Sequence, residues 1–275
     1  CSSDLAIYVT HDLSLVAQIA DHILVLKDGK QIEYGTTDQI INNPKEDYTK
    51  ALIDAAHVMP DEITSPALQI SKNPPLLEVK NVTAGYGKKQ EITAIKSANL
   101  SIEPGETVGV IGESGSGKTT LGRVISGLMA PKHGQVFLNG QVLQSNLSKR
   151  SREELREIQF AFQMADVALN PRQKIGKILG RPMQFYRKIS NKEMEYEVEK
   201  LLTRVDLPTE FIRRLPTELS GGQRQRVNLA RALAAEPKLI ICDEITSALD
   251  TIVAQQILDL LASLQEELGL SYLFI

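Results

Sequence analysis

Hydrophobic and polar positions divide the chain into two patterned stretches separated by a proline-rich segment. In residues 1–56, short apolar runs predict strands, and apolar positions at helical spacing predict helices. The strands are expected at 5–9, 23–26 and 31–34, with an Asp28-Gly29 hairpin turn between the last two, and the helices at 13–20, 37–42 and 48–56. Residues 57–75 contain four prolines among scattered polar residues, so we predict a linker there.

From Leu76 onward the pattern changes to strands that alternate with helices. Strands are expected at 77–82, 95–102, 107–111 and 239–242. The sequence Glu103-Pro104-Gly105 ends the second of these strands, because proline and glycine interrupt regular structure. Repeated alternation of strands and helices is typical of an α/β core.

The two ends of the chain are similar to each other. Residues 270–275 and residues 4–9 each contain a short apolar run that follows a polar residue, a pattern that predicts a buried strand. The simplest account is two tandem copies of one domain, although short apolar strands also resemble each other by chance. We therefore expect the end of a first copy at 1–56, a linker at 57–75 and most of a second copy at 76–275.

Composition narrows the class of protein. The chain of 275 residues is 42% hydrophobic and 24% charged with a net charge of -3, so no global basic field attracts nucleic acid, and none is expected as a partner. Its longest apolar runs are far shorter than the ~20 residues of a membrane span. Two cysteines without metal-ligand spacing fit a reducing cytosol.

A glycine-rich loop follows the expected strand 107–111 and precedes a helix. Residues 112–119 match the pattern G-x-x-x-x-G-K-[ST], in which backbone N–H groups surround phosphates. Lys118 is expected to reach the β- and γ-phosphates, and Thr119 to offer its hydroxyl to Mg²⁺. The alternative is a turn that only ends a strand. The expected nucleotide-binding residues here are Gly112, Ser114, Gly115, Ser116, Gly117, Lys118, Thr119 and Thr120.

Two further motifs lie downstream of this loop. Asp243 and Glu244 follow the apolar run 239–242. Alone, this acidic pair would suit a helix N-cap. Downstream of a phosphate loop, however, Asp243 is suited to hold Mg²⁺ and Glu244 to activate the attacking water. A Leu-Ser-Gly-Gly-Gln string opens an amphipathic helix and places N–H groups at its positive end, although on its own it is a helix cap. Its candidate binding residues are Ser220, Gly221, Gly222 and Gln223.

Together these three motifs resemble the ATP-binding cassette (ABC) ATPases, and the resemblance covers essentially the whole chain. It implies that Tyr86 stacks on adenine and that Gln163 contacts Mg²⁺ and the attacking water. It further implies that Asp250 belongs to the D-loop and that His11 is a switch histidine on the γ-phosphate. ATP and Mg²⁺ are the implied cofactors, and Glu244, Gln163 and His11 the implied catalytic residues. The first residue, Cys1, could also suggest the lipidated start of an exported lipoprotein. We favour a fragment of a longer chain instead, because a nucleotide-binding loop functions in the cytosol.

The resemblance also implies a fold and an assembly. The expected fold is a P-loop NTPase of ABC type, with an antiparallel β subdomain, a parallel core sheet and a helical signature subdomain near 173–236. Two such domains pack head to tail around ATP. The strings at 168–172 and 48–52 are similar to the oligopeptide/dipeptide importer branch, whereas Ile245 replaces a proline usual in the family.

Import implies transmembrane permease subunits and a substrate-binding protein as partners, with the ATPase cytoplasmic and peripheral on the inner face of the membrane. The second hypothesis is a soluble cassette ATPase that acts as a mechanical switch in DNA repair or translation. Such proteins usually carry long insertions or zinc sites, and neither is evident here. In the tandem interpretation, the second copy stops just before its own switch histidine.

Overall fold

The computed structural model describes residues 22–27, 30–56, 74–87, 91–110 and 115–275. These residues form two compact units. The first comprises the described residues up to 56 together with Leu249–Leu258, and the second comprises the described residues from 74 to 248 together with Asp259–Ile275. The predicted strand at 5–9, the predicted helix at 13–20, most of the predicted linker, His11 and residues 112–114 lie outside the described residues.

The first unit is built on a two-stranded antiparallel hairpin. Strands β1 (His22–Lys27) and β2 (Lys30–Thr36) pair along their length and are followed by helices α1 (Thr37–Asn42) and α2 (Asp47–Ala56). The Thr36 side chain accepts a hydrogen bond from the Gln39 N–H and so caps the start of α1. The hairpin and both helices were predicted, and α2 begins one residue earlier than expected.

An antiparallel sheet forms one half of the second unit. Its strands lie in the order β4-β3-β6-β7. They are β3 (Leu77–Tyr86), β4 (Ile92–Ile102), β6 (His133–Leu138) and β7 (Gln141–Val142). Strands β3 and β4 are longer than the sequence pattern predicts, because their pairing continues through Gly85 with Thr93 and Tyr86 with Ile92. Strand β4 ends at Ile102, directly before the predicted break.

A parallel sheet forms the other half. Its strands lie in the order β5-β10-β9-β8, and every pair runs parallel. They are β5 (Thr107–Gly109), β8 (Ile158–Ala161), β9 (Leu239–Cys242) and β10 (Ser271–Phe274). One antiparallel sheet beside one parallel sheet with helices confirms the predicted α/β class.

Helices connect and cover these sheets. The α-helices are α3 (Lys118–Ile125), α4 (Arg152–Glu157), α5 (Ala165–Ala168), α6 (Ile175–Pro182), α7 (Met194–Arg204), α8 (Gly221–Leu233) and α9 (Thr251–Leu268). Short 3₁₀ segments lie at Leu147–Lys149, Thr209–Arg213 and Pro216–Glu218, and a π-helical turn lies at Met183–Arg187. Helices α6 to α8 form the helical region that was predicted near 173–236. Among the described residues, no helix is both long and apolar enough to cross a membrane.

One continuous apolar core joins the two sheets of the second unit through α3. Leu121, Val124 and Ile125 of this helix are buried with side chains of both sheets, such as Val82 and Ile241. Burial of a large aliphatic side chain stabilises a fold by roughly 1.5–3 kcal/mol. The core therefore fixes α3, and with it the end of the phosphate loop, against the parallel sheet.

Gly134 shows how closely β3 and β6 approach. Its φ is 84°, and a Cβ atom there would lie 2.4 Å from both the Lys80 and the Asn81 carbonyl oxygens. Gly105 has a similar φ of 78°, but a Cβ atom there would meet nothing within 4 Å. An added side chain would strain the backbone at both positions, but it would also overlap with neighbouring atoms only at Gly134.

We expect Gly134→Ala to destabilise the protein considerably more than Gly105→Ala. Both substitutions place alanine in a left-handed conformation at a cost of roughly 1–2 kcal/mol, and only Gly134→Ala adds overlap with backbone atoms, at about 1–3 kcal/mol more. Urea unfolding of the two variants measures the difference. Equal losses of stability would contradict the close approach of β3 and β6.

Candidate functional site

Three strands of the parallel sheet end at one edge, and each leads directly to a predicted site residue. Strand β5 leads to the phosphate loop, β8 to Gln163 and β9 to Asp243 and Glu244. Because the strands are parallel, their carboxyl ends meet at the same edge, which is where open α/β sheets place their ligands.

The described part of the phosphate loop enters α3 through two glycines in left-handed conformations. Gly115 has a φ of 83°, and Gly117, the N-cap of α3, has a φ of 99°. A Cβ atom at Gly117 would lie 2.5 Å from the Ala94 carbonyl oxygen, so only glycine fits this approach to β4. Helix α3 begins at Lys118, directly after this turn.

Thr119 and Asp243 are joined across the sheet edge. The Thr119 hydroxyl donates to Asp243 Oδ1 at 2.9 Å, although the two residues are 124 positions apart. Asp243 is only 7% exposed. Burial raises the pKa of this carboxyl; the Thr119 hydrogen bond opposes that rise, and the negative charge of Glu244 adds to it. The charges of Arg123 and Lys118 also lower it.

Gln163 and Glu244 form a second pair at the same edge. The Gln163 amide donates to Glu244 Oε2 and, at 3.4 Å, to the Ser247 hydroxyl. Glu244 has a φ of 46°, and its backbone N–H donates to the Ile275 carbonyl at 2.9 Å. Ser247 donates its hydroxyl to the Glu244 carbonyl at 2.9 Å. The Glu244 backbone is therefore held on both sides in an uncommon conformation.

Tyr86 lies at the end of β3 and is tied to α3. Its hydroxyl is 2.9 Å from the Thr120 hydroxyl, and Thr120 is itself buried. The Tyr86 side chain is 41% exposed, so part of the ring remains open to solvent. An aromatic ring held beside the start of α3 in this way offers a flat apolar face next to the phosphate loop.

The glycine-rich start of α8 is a capping box. Ser220 Oγ accepts from the Gln223 N–H at 3.3 Å, and Gln223 Oε1 accepts from the Ser220 N–H at 3.0 Å. Ser220 and Gln223 therefore bond to each other, and Gly221 and Gly222, which carry the first N–H groups of α8, lie between them. Asp250 belongs to the first unit, where its carboxylate accepts from the Val253 N–H at 3.0 Å.

The sequence alone did not indicate two contacts of this site. The link from Tyr86 to Thr120 spans 34 positions, and that from Gln163 to Ser247 spans 84. Ser247 lies three positions before Asp250 of the predicted D-loop, but no pattern showed that its hydroxyl lies beside Gln163. Among the described residues there is no group of three or more His, Cys, Asp or Glu side chains placed to hold a metal ion.

Comparison with known families identifies the chain. Residues 95–247, more than half of the chain, match the sequence model of the ABC transporter family. The chain therefore belongs to the ABC transporter family.

Individual relatives agree with this assignment. The chain is 37% identical to the glutathione import ATP-binding protein GsiA of Escherichia coli O157:H7, over 98% of this chain and 48% of that protein. It thus spans about half the length of this curated relative. The dimeric ATP-binding cassette MJ0796, described as bound to ADP and Pi, is 35% identical, with a TM-score of 0.62 over 72% of this chain and 86% of that one. CbiO1 of Clostridium perfringens, part of the ABC transporter complex cbiONQ, is 26% identical, with a TM-score of 0.62 over 73% and 78% of the two chains.

We expect Thr119→Val to raise the pKa of Asp243 further, because it removes the hydrogen bond that lowers this pKa. A carboxyl with a raised pKa favours the folded state at low pH, and that contribution is lost as the pH rises through the folded pKa. As the pH rises through the folded pKa, the free energy of unfolding should therefore fall more in the variant than in the wild type. Carbon-13 NMR titration of the aspartate carboxyls measures the pKa.

Thr107→Val is the matched control for this titration. Its hydroxyl donates to Gln265 at 3.2 Å in the same unit but does not contact Asp243. The control should leave the Asp243 titration unchanged. An unchanged or lowered Asp243 pKa in Thr119→Val would show that the Thr119 hydroxyl does not interact with the carboxylate as described.

Proposed function

We propose that this chain binds and hydrolyses ATP, and that hydrolysis drives the import of a solute through a partner permease. The observation that carries the proposal is the pair of contacts at one sheet edge, Thr119 with Asp243 and Gln163 with Glu244. Membership of the ABC transporter family and the similarity to a protein named for import support it.

Nucleotide binding is assigned to the phosphate loop and to Tyr86. The triphosphate would be held by backbone N–H groups of Gly112 to Thr120 at the positive end of α3, and by the ammonium of Lys118. Tyr86 would stack on the adenine, with its hydroxyl tied to Thr120 so that the ring keeps its place.

Mg²⁺ is the metal that fits the donors at this edge. The Thr119 hydroxyl and the Asp243 carboxylate provide hard oxygen ligands 2.9 Å apart, and the Gln163 amide lies at the same edge. A bound Mg²⁺ would neutralise charge on the phosphates. Removal of Asp243 from water favours its pairing with a cation, because a buried carboxylate is otherwise costly to keep ionised.

Hydrolysis is assigned to Glu244 with Gln163 beside it. Glu244 would accept a proton from the water that attacks the γ-phosphorus, while the bond from this phosphorus to the bridging oxygen breaks and ADP leaves. Gln163 and the backbone contacts of Glu244 would fix the direction of the carboxylate.

Complete sites would form between two cassettes that pair head to tail. We place ATP between the phosphate loop of one cassette and Ser220 to Gln223 of another, with Asp250 at the junction and His11 as a contact to the γ-phosphate. The dimeric cassette MJ0796 supports such pairing. We propose that residues 1–56 belong to one cassette, 57–75 to a linker and 76–275 to a second cassette.

The relative GsiA indicates the kind of cargo. Its name refers to glutathione, a peptide-like solute. We propose import of peptides or peptide-like compounds, with transmembrane permease subunits and a substrate-binding protein as partners. The ATPase would then lie on the cytoplasmic face of the membrane.

Lys118→Ala should weaken ATP binding by about 10- to 150-fold, because a hydrogen bond to a charged group contributes roughly 1.5–3 kcal/mol. Titration with a fluorescent ATP analogue measures the affinity. Lys177→Ala, which removes an exposed lysine of α6, is the control and should bind ATP as the wild type does. Wild-type affinity in Lys118→Ala would refute the assigned phosphate loop.

Glu244→Gln should keep ATP affinity and lower turnover by at least about 100-fold, because a positioned general base contributes 10²–10⁴-fold. The glutamine keeps the size and one acceptor oxygen for Gln163. Steady-state phosphate release and nucleotide binding are measured on the same preparation. Glu266→Gln, on an exposed face of α9, should show wild-type turnover, and similar turnover in Glu244→Gln would place the base elsewhere.

A further inference from the structure

Helix α8 presents three polar side chains on one face. Arg224, Asn228 and Arg231 are spaced i, i+4 and i+7, which places them above one another along the helix. All three contact the same short segment, residues 162–168, which begins with Phe162 and includes Gln163 and α5.

Asn228 is the centre of this contact. Its side chain is fully buried, and its amide nitrogen donates to the Phe162 carbonyl at 2.9 Å. Its amide oxygen accepts from Arg231 at 3.2 Å. A buried amide is costly unless its hydrogen bonds are made, so the position of the Phe162 carbonyl is strongly specified.

The two arginines extend the contact on either side. Arg231 donates to the Ala168 carbonyl at the end of α5, and its guanidinium lies 5.8 Å from the centre of the Phe162 ring. Arg224 forms an ion pair with Asp166 and also donates to the Leu219 carbonyl, just before the capping box. Residues 162–168 are thus held at a carbonyl near each end and at a side chain between them.

This segment includes Gln163, which follows the carbonyl that Asn228 holds. The amide of Gln163 bonds to Glu244 and lies beside Ser247. A change in the Phe162 carbonyl position would therefore move the Gln163 backbone and redirect its amide. The helix that holds this carbonyl is the same one that begins with Ser220 to Gln223.

We propose that Asn228 and Arg231 are positioning residues for hydrolysis: they clasp residues 162–168 to α8 and thereby fix the Gln163 amide against Glu244. The proposal rests on the proposed function, because its consequence for turnover requires that Glu244 and Gln163 act in ATP hydrolysis. The clasp itself is a structural claim and is tested separately.

The chain offers a matched control on the same helix. Arg226 also donates from α8 to a backbone carbonyl, that of Val205 at 3.0 Å, and pairs with Asp206 at 2.7 Å. It does not contact residues 162–168. Arg226→Met therefore removes the same kind of bond from the same helix without altering the clasp.

The first experiment measures amide hydrogen exchange in the full chain. Asn228→Leu keeps the branched shape and the number of heavy atoms of the side chain and removes both hydrogen bonds, so amides at 163–169 should exchange about tenfold faster, as expected for loss of a buried hydrogen bond. Exchange in strand β9 should not change, which shows that the fold is retained. Arg226→Met should leave exchange at 163–169 as in the wild type. Unchanged exchange at 163–169 in Asn228→Leu would overturn the clasp.

The second experiment separates positioning from general stability by a double-mutant cycle on ATP turnover. Asn228→Leu should lower kcat by about tenfold with little change in KM, but should have almost no effect when Gln163 is already alanine. Arg231→Met should behave likewise, and Arg231→Lys, which keeps the charge and one donor, should recover part of the loss. A destabilised fold would instead lower kcat equally in both backgrounds.

The outcomes distinguish the two claims. Equal losses with and without Gln163, or equal losses in Arg226→Met, would overturn the positioning role. Absence of ATP turnover in the wild type would contradict the proposed function, and the exchange experiment would then decide the clasp alone.

Discussion

The strand Leu239–Cys242 is completely buried between β8 and β10, and the rest of the site depends on its position. Its backbone groups pair on both sides, so the strand cannot shift without breaking two ladders. Asp243 and Glu244 follow it directly, and the Asp243 N–H donates to the Ala161 carbonyl at the end of β8. The two carboxylates are therefore fixed relative to the segment that begins at Phe162.

Burial of this edge also sets its electrostatics. Asp243 is removed from water and faces a threonine hydroxyl, so its charged form is less favourable than in solution. Glu244 stands one residue further along and is partly exposed, in a left-handed backbone conformation. Two adjacent carboxylates thus occupy different environments, one suited to a cation and the other open to water, and different environments allow different roles.

Contiguous motifs made much of this molecule predictable. The alternation of strands and helices indicated the α/β class, and two of the three short motifs, the phosphate loop and the pair Asp243 and Glu244, contain residues that meet at the sheet edge. Each motif is a short contiguous string, and its residue types indicate its chemistry. Glycines occupy positions of positive φ, a lysine and a threonine begin α3, and carboxylates follow a buried strand. The described hairpin and helices of the first unit followed from the apolar pattern and from the Asp-Gly turn signal.

The remaining features depend on contacts between distant positions, which a single sequence does not reveal. Strands β6 and β7 join the antiparallel sheet from beyond the phosphate loop, and only the packing of Gly134 against β3 shows why they fit. Asn228 is polar within a run of apolar residues, and from periodicity alone it reads as a poor helix residue. Its partner is a carbonyl 66 positions away. The sequence therefore shows an unusual polar residue in the helix but does not show which group it contacts.

Helix α8 combines two kinds of contact that a single rigid element can couple. Its first turn presents N–H groups at the glycine-rich capping box, and its i, i+4, i+7 face holds residues 162–168 through buried bonds. Apolar Val227, Ala230 and Leu233 anchor the rest of the helix in the core. A short, well-packed helix moves as a unit, because its internal hydrogen bonds and its buried polar contacts resist independent displacement. The first turn of α8 and the contacts to residues 162–168 therefore belong to one packed element, so the two positions are fixed relative to each other.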